Sequence, residues 1–166
     1  MKKKLKKIYF VVGPTAVGKT KFAIELAKKL KTEIISADSR QIFMEMSIGT
    51  ARPSLEELSQ IKHHFIANKS IFDYYSANKY EVECLALIEN LFLKYDNLVV
   101  VGGSGLYIDA LLYGIDDLPD VEPEIRNMLK KRYEEEGIDS LRFELKKIDP
   151  ESYKKIDLKN PKRILK

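Results

Sequence analysis

Cysteine is nearly absent: the 166-residue chain has one, Cys84. A lone cysteine excludes an intrachain disulfide framework and any multi-cysteine zinc site. It shares a helical stripe with Leu87, Ile88 and Leu91, which predicts a small buried hydrophobe. Histidine is scarce too, with only two residues, His63 and His64. They sit in a predicted short edge strand, where neighbours point to opposite faces. With no third ligand nearby, a metal site there is not expected. No apolar run approaches the roughly 18 to 20 residues that cross a bilayer. The basic start, Lys2 to Lys7, leads only into a short apolar run ending at Val12. That run is needed as a strand, so no signal peptide is expected and the cytoplasm is the default compartment. Internal repeats and low-complexity segments are also missing.

What remains is ordinary globular composition, 45% hydrophobic and 33% charged. The length suits one domain with a proper core, or one domain plus a small appendage. A net charge of +4 permits a nucleic-acid partner without demonstrating one.

The strongest local signal is Gly13 to Thr20, which fits G-x-x-x-x-G-K-[ST]. The full loop is Gly13, Pro14, Thr15, Ala16, Val17, Gly18, Lys19 and Thr20. Ile8 to Val12 reads as the strand before it. Ala23, Leu26, Ala27 and Leu30 form one apolar stripe of a following helix. Such a loop turns its backbone N–H groups inward at the positive end of a helix dipole. Gly13 and Gly18 allow conformations that a side chain would hinder. Lys19 offers a mobile charge to a di- or triphosphate, and Thr20 can place its hydroxyl on Mg²⁺. Alone, the loop predicts nucleotide (ATP) binding; the plain alternative is a glycine-rich turn with no ligand.

Two more loops leave predicted strands at the same end. Glu33 to Ser36 reads as a strand ending at Asp38, Ser39, Arg40 and Gln41. Asn97 to Val101 reads as another, followed by Gly102-Gly-Ser-Gly, where a second close backbone approach to ligand is expected. In open α/β sheets ligands lie beyond the carboxyl ends of the strands. Asp38 is therefore a candidate for chemistry, with a turn or helix-cap aspartate as the open alternative. Ser54-Leu-Glu-Glu predicts a capping box, and a helix is expected from about Lys79 to Lys94.

Composition shifts near Asp116-Asp-Leu-Pro-Asp-Val-Glu-Pro. Beyond it, Ile125, Met128, Leu129 and Tyr133 space as a helix stopping at Gly137. Leu141, Leu145 and Ile148 mark another, stopping at Asp149-Pro150. The predicted layout is an α/β core over 1–118, a small helical appendage over 119–160, and a segment at 161–166 that begins a return to the core.

Six motifs in order carry a resemblance. They are Gly-Pro-Thr-Ala-Val-Gly-Lys-Thr at 13–20, Ser-Ala-Asp-Ser-Arg-Gln-Ile-Phe at 36–43 and Ile-Gly-Thr-Ala-Arg-Pro at 48–53. His-His-Phe-Ile at 63–66, Gly-Gly-Ser-Gly-Leu-Tyr-Ile at 102–108 and Asn-Pro-Lys-Arg-Ile-Leu-Lys at 160–166 complete them. Together they resemble the bacterial tRNA dimethylallyltransferase (tRNA isopentenyltransferase) family. The resemblance implies a P-loop NTPase-like parallel sheet flanked by helices, with a small all-helical insertion. It implies transfer of a dimethylallyl group from dimethylallyl diphosphate to N6 of the adenosine 3′ of the tRNA anticodon (position 37). Lys19 and the loop would then neutralise the departing pyrophosphate, Thr20 would help hold Mg²⁺, and Asp38 would be the general base. Contacts to the tRNA anticodon stem-loop are implied for Asp38, Ser39, Arg40, Gln41, Ser104, Arg126, Lys162, Arg163, Ile164, Leu165 and Lys166. The helical insertion would clamp that stem-loop, with Lys130, Lys131, Arg132, Lys146 and Lys147 available to phosphates. A monomer without membrane association is expected.

Two positions depart from the family pattern: Ser104 stands where Thr is commoner, and Phe43 where Tyr is usual. Family members also continue well beyond the last motif, so this chain is expected to be an N-terminal portion with weak or no activity by itself. The alternatives are an adenylate isopentenyltransferase acting on free AMP, ADP or ATP, a P-loop RNA- or nucleotide-binding module without catalysis, and a small-molecule kinase.

Overall fold

The computed structural model of the chain describes residues 5–115 and 122–165. Contacts divide the chain into two compact units, Met1–Asp116 and Asp117–Lys166. The boundary expected at residue 118 falls in 116–121, outside the described residues.

The first unit alternates strand and helix: β1 (Lys7–Val12), α1 (Lys19–Leu30), β2 (Ile34–Ala37), α2 (Leu55–Gln60), β3 (His63–His64), α3 (Ala77–Phe92), β4 (Asn97–Gly102) and α4 (Gly105–Tyr113). The sheet order is β1-β4-β2-β3, and every pairing is parallel. Parallel sheets are covered on both faces, so their inner strands read as unbroken apolar runs. β2 is buried at all four positions and β4 at five of six. Alternate residues then divide between two layers. Ile34, Val99 and Val101 meet Ala23, Ile24 and Ala27 of α1. Ile35, Leu98 and Val100 meet the α3 and α4 side, where Tyr80, Cys84, Ile88, Leu91 and Tyr107 are buried. Cys84 is thus the core hydrophobe its stripe predicts, and burial pushes its thiol up to about 12.

Helix ends follow the residues that can cap them. The Ser54–Glu57 capping box is present in full. α3 begins at Ala77, before the expected Lys79, because the Ser76 hydroxyl accepts from the Lys79 N–H at 3.2 Å. The His63–His64 strand pairs with Ile34 and Ile35 at the sheet edge, as the sequence predicts.

The second unit contains α5 (Pro123–Glu136), α6 (Ile138–Ile148), α7 (Pro150–Lys155) and α8 (Pro161–Ile164). Gly137, at φ 80°, separates α5 from α6. α6 stops at Asp149-Pro150 as its spacing predicts, and a further helix starts there. The Asp149 carboxylate accepts from the Ser152 N–H at 2.9 Å and Pro150 takes the first helical position, so one helix ends and α7 begins. α6 is the centre, contacting α5, α7 and α8, and its Leu141 is buried. Arg132 on α5 pairs with Glu144 on α6. Residues 161–164, expected to begin a return to the core, form α8 within this unit.

No helix among the described residues is long and apolar enough to cross a membrane.

Candidate active site

The parallel register sets the site. Gly102, last residue of β4, pairs with Val12 of β1 on one side and Ala37 of β2 on the other. Three strands therefore end level, and the loops 13–18, 38–41 and 103–104 leave together at the carboxyl edge. Gly102 is a glycine because a Cβ there would lie 2.1 Å from the Ala37 carbonyl oxygen. At Gly102 the close approach is to the neighbouring strand, while Gly103 and Ser104 of the same motif line a cavity. At Gly103 a Cβ would lie 3.3 Å from the Gly13 carbonyl oxygen, so this loop also abuts the phosphate loop.

In the phosphate loop Gly18 is left-handed at φ 88° and immediately precedes Lys19, the first residue of α1. Ala16 is also left-handed, at φ 67°. A non-glycine residue at positive φ is sparsely populated and costs on the order of 1 kcal/mol, as happens where a ligand loop must hold one shape. The Lys19 ammonium donates to the Pro14 carbonyl oxygen at 2.6 Å, so its charge lies folded across the loop.

Asp38 performs the turn role that the sequence left open. Its Oδ1 accepts from the backbone N–H of Arg40 at 2.9 Å and of Gln41 at 3.2 Å. Oδ2 has no hydrogen-bond partner among the described residues. The turn is braced on both sides. The Ser39 N–H donates to Ser104 Oγ at 2.8 Å, and the Gln41 amide donates to the Thr50 and Ala51 carbonyls at 3.1 and 2.9 Å. Below it, the Tyr80 hydroxyl donates to the Ser36 carbonyl at 2.9 Å. The Tyr80 ring stacks on Tyr107 with centroids 4.1 Å apart. Burial and then the Asp38 charge push the Tyr107 hydroxyl above its ordinary value.

Two adjoining cavities share Thr15 and Asp38. The first, about 290 Å³, is lined by Lys19 and Thr20 of the loop and by the apolar Pro53, Ile66 and Val101. The second, about 330 Å³, is lined by Ser39, Arg40, Gly49 and Ser104. All the predicted phosphate-loop residues, Asp38 to Gln41 and Ser104 thus belong to one end of one unit. Arg126 on α5, Lys162, Arg163 and Ile164 on α8, and Leu165 just after it belong to the second unit. Lys166 lies outside the described residues.

Among the wall residues of the first cavity that sequence reasoning did not single out are the ionisable Glu57 and His63. The sequence reads His63 as an edge-strand residue and as part of the His-His-Phe-Ile motif, with no metal site expected. Its signal was its place on a strand parallel to β2, at the margin of the same crevice. Burial holds its imidazole below the ordinary histidine value.

A parallel sheet with a glycine-rich loop between β1 and α1, and an aspartate on the next loop of the sheet, defines a P-loop NTPase-like α/β protein. The family model for IPP transferase matches residues 41–166. The chain belongs to the IPP transferase family. It is 52% identical over 160 residues to the tRNA dimethylallyltransferase of Flavobacterium johnsoniae, covering 96% of this chain and 52% of that protein. With tRNA dimethylallyltransferase 1 of Phocaeicola vulgatus it shares 47% identity, covering 93% and 52%. Among solved structures it resembles the full-length tRNA isopentenylpyrophosphate transferase of Bacillus halodurans, at 34% identity and TM-score 0.64 over 98% of this chain and 54% of that one. A eukaryotic dimethylallyltransferase acting on tRNA matches with TM-score 0.78 at 27% identity, over 96% and 40%. The chain spans about half the length of the curated relatives it matches.

Proposed function

We propose that the full-length protein transfers a dimethylallyl group from dimethylallyl diphosphate to N6 of the adenosine 3′ of a tRNA anticodon. The observation that carries this reading is the position of Asp38 on the walls of both cavities, with the phosphate loop on one side and Ser39, Arg40 and Ser104 on the other. The donor diphosphate would lie against Lys19, Thr20 and the loop N–H groups, its prenyl chain along Ile66, Pro53 and Val101. The adenine would enter the second cavity, pulled out of the anticodon loop.

In this reading N6 attacks C1 of the allylic chain as the C1–O bond breaks. The bonding pair leaves with pyrophosphate, and the N6 proton passes to Asp38 Oδ2. Oδ1 stays bound to the turn, which fixes the carboxylate for a single proton-transfer geometry. Lys19, released from Pro14, would meet the charge that develops on the leaving group. Magnesium fits this donor set. Among the described residues no group of three or more His, Cys, Asp or Glu could cage a metal. Mg²⁺ typically binds through one or two protein oxygens plus substrate phosphates, and Thr20 lines the first cavity. When bound, the ion would neutralise pyrophosphate charge.

The tRNA anticodon stem-loop is the proposed partner, with Arg126 and Lys162 to Lys166 contributing from the second unit, and the protein is proposed to act as a cytoplasmic monomer. The test is product formation by the full-length protein from labelled dimethylallyl diphosphate, offered either an anticodon stem-loop or free AMP. Label in the stem-loop alone supports the reading; label in AMP alone replaces it with an adenylate isopentenyltransferase.

A further inference from the structure

His63 opens β3, opposite Ile34 of β2, and is among the residues that line the cavity shared with Lys19, Thr20 and Asp38. Its Nδ1 lies 2.8 Å from the Ile61 carbonyl oxygen. A carbonyl only accepts, so this contact fixes a proton on Nδ1 and leaves a lone pair on Nε2 of the neutral ring. Nε2 is buried and has no hydrogen-bond partner among the described residues. An orphaned buried polar atom is costly and uncommon enough to need a reason. The neighbouring His64 faces elsewhere, with its Nε2 held 2.5 Å from Glu33.

We propose that His63 takes up a proton on Nε2 when a diphosphate occupies this cavity, and becomes its second cationic side-chain ligand beside Lys19. The inference rests on the reading of the cavity as a diphosphate site. A lone pair facing anionic oxygens repels them; a protonated Nε2 donates to them. In the free protein the ring is kept neutral chiefly by burial, which outweighs the opposing Ile61 and Glu57 contributions. A multiply charged anion close by reverses that balance, because opposite charge in a partly buried site favours the charged ring. The other charged groups around the ring are Lys19 and Lys21 from α1, Asp38 after β2, Glu57 from α2, and His64 with Glu33 behind it. None of these groups is added on binding, so the anion's own charge supplies the difference.

The chain has only two histidines, so ¹⁵N-histidine labelling gives two rings to follow, and His63→Gln assigns them. Inorganic pyrophosphate is titrated in across a pH series. The expected result is that Nε2 of His63 moves from the unprotonated to the protonated range near neutral pH. Its midpoint rises by about one pH unit or more. Pyrophosphate affinity of His63→Gln falls roughly tenfold at neutral pH, and the gap from the parent chain closes as pH rises. Pyrophosphate that binds while Nε2 stays unprotonated overturns the inference and leaves the diphosphate site standing. Pyrophosphate that does not bind removes both.

Discussion

Ser39 and Ser104, on loops after different strands, hold each other. The Ser39 N–H donates to Ser104 Oγ at 2.8 Å, and the Ser104 hydroxyl donates back to Ser39 Oγ at 3.0 Å. This pair joins the turn that carries Asp38 to the loop that abuts the phosphate loop. Ser104→Ala removes both bonds. It is expected to lower unfolding free energy by about 1 kcal/mol, read from urea melts. Ser104→Thr keeps the hydroxyl and is expected to restore most of that loss.

Gly102 and Gly103 separate two kinds of glycine requirement. A Cβ at Gly102 meets Ala37 backbone at 2.1 Å, inside a central strand pair that cannot yield. Gly102→Ala is expected to cost on the order of 3 kcal/mol or more, seen as loss of cooperative thermal unfolding or of soluble protein. At Gly103 the nearest atom, the Gly13 carbonyl oxygen, is 3.3 Å away. Gly103→Ala is expected to fold, with weaker pyrophosphate binding in titration because the phosphate loop is displaced.

Much of this arrangement could be read before any coordinates. The β1–loop–α1 unit, the capping box at Ser54 and the Cys84 stripe follow from local spacing, and local spacing is what sequence displays. The level ending of β1, β2 and β4 was legible only as convergence, because register is set by pairing across distant segments. The Asp38 turn was open because an Asx turn and a catalytic base use the same residue with different oxygens. The place of His63 on the cavity wall was not legible because its neighbours in sequence say nothing of Lys19 and Thr20, which line the same cavity. α7 went unread because Asp149-Pro150 is both a stop and a start, and the hydrogen bond to Ser152 decides which.

Glu33 gives a pH signature away from the site. Burial pushes its carboxyl up, but hydrogen bonds from His64 and Tyr95 with the Lys62 charge outweigh that and hold it below its ordinary value of 4.5. The Tyr95 hydroxyl donates at 3.0 Å. A depressed folded-state value stabilises the fold above the unfolded value, and that contribution is lost as pH falls through the folded one. Glu33→Gln is therefore expected to be less stable than the parent chain at pH 6, by about 1–2 kcal/mol. The gap should narrow steadily below pH 4.5. Urea melts across that range check it, and a gap constant with pH would remove Glu33 ionisation as its source.

The proposed chemistry rests on Asp38 as proton acceptor, and Asp38→Asn isolates that role. The amide oxygen can still accept from Arg40 and Gln41, so the turn survives, while the group that would take the N6 proton is gone. The decisive measurement is single-turnover dimethylallyl transfer to an anticodon stem-loop by full-length Asp38→Asn protein, alongside binding of the same RNA. The account predicts a rate lower by about 10²–10⁴-fold with RNA affinity within a few-fold of the parent. A rate close to the parent's, or a loss of transfer matched by an equal loss of RNA binding, would contradict it.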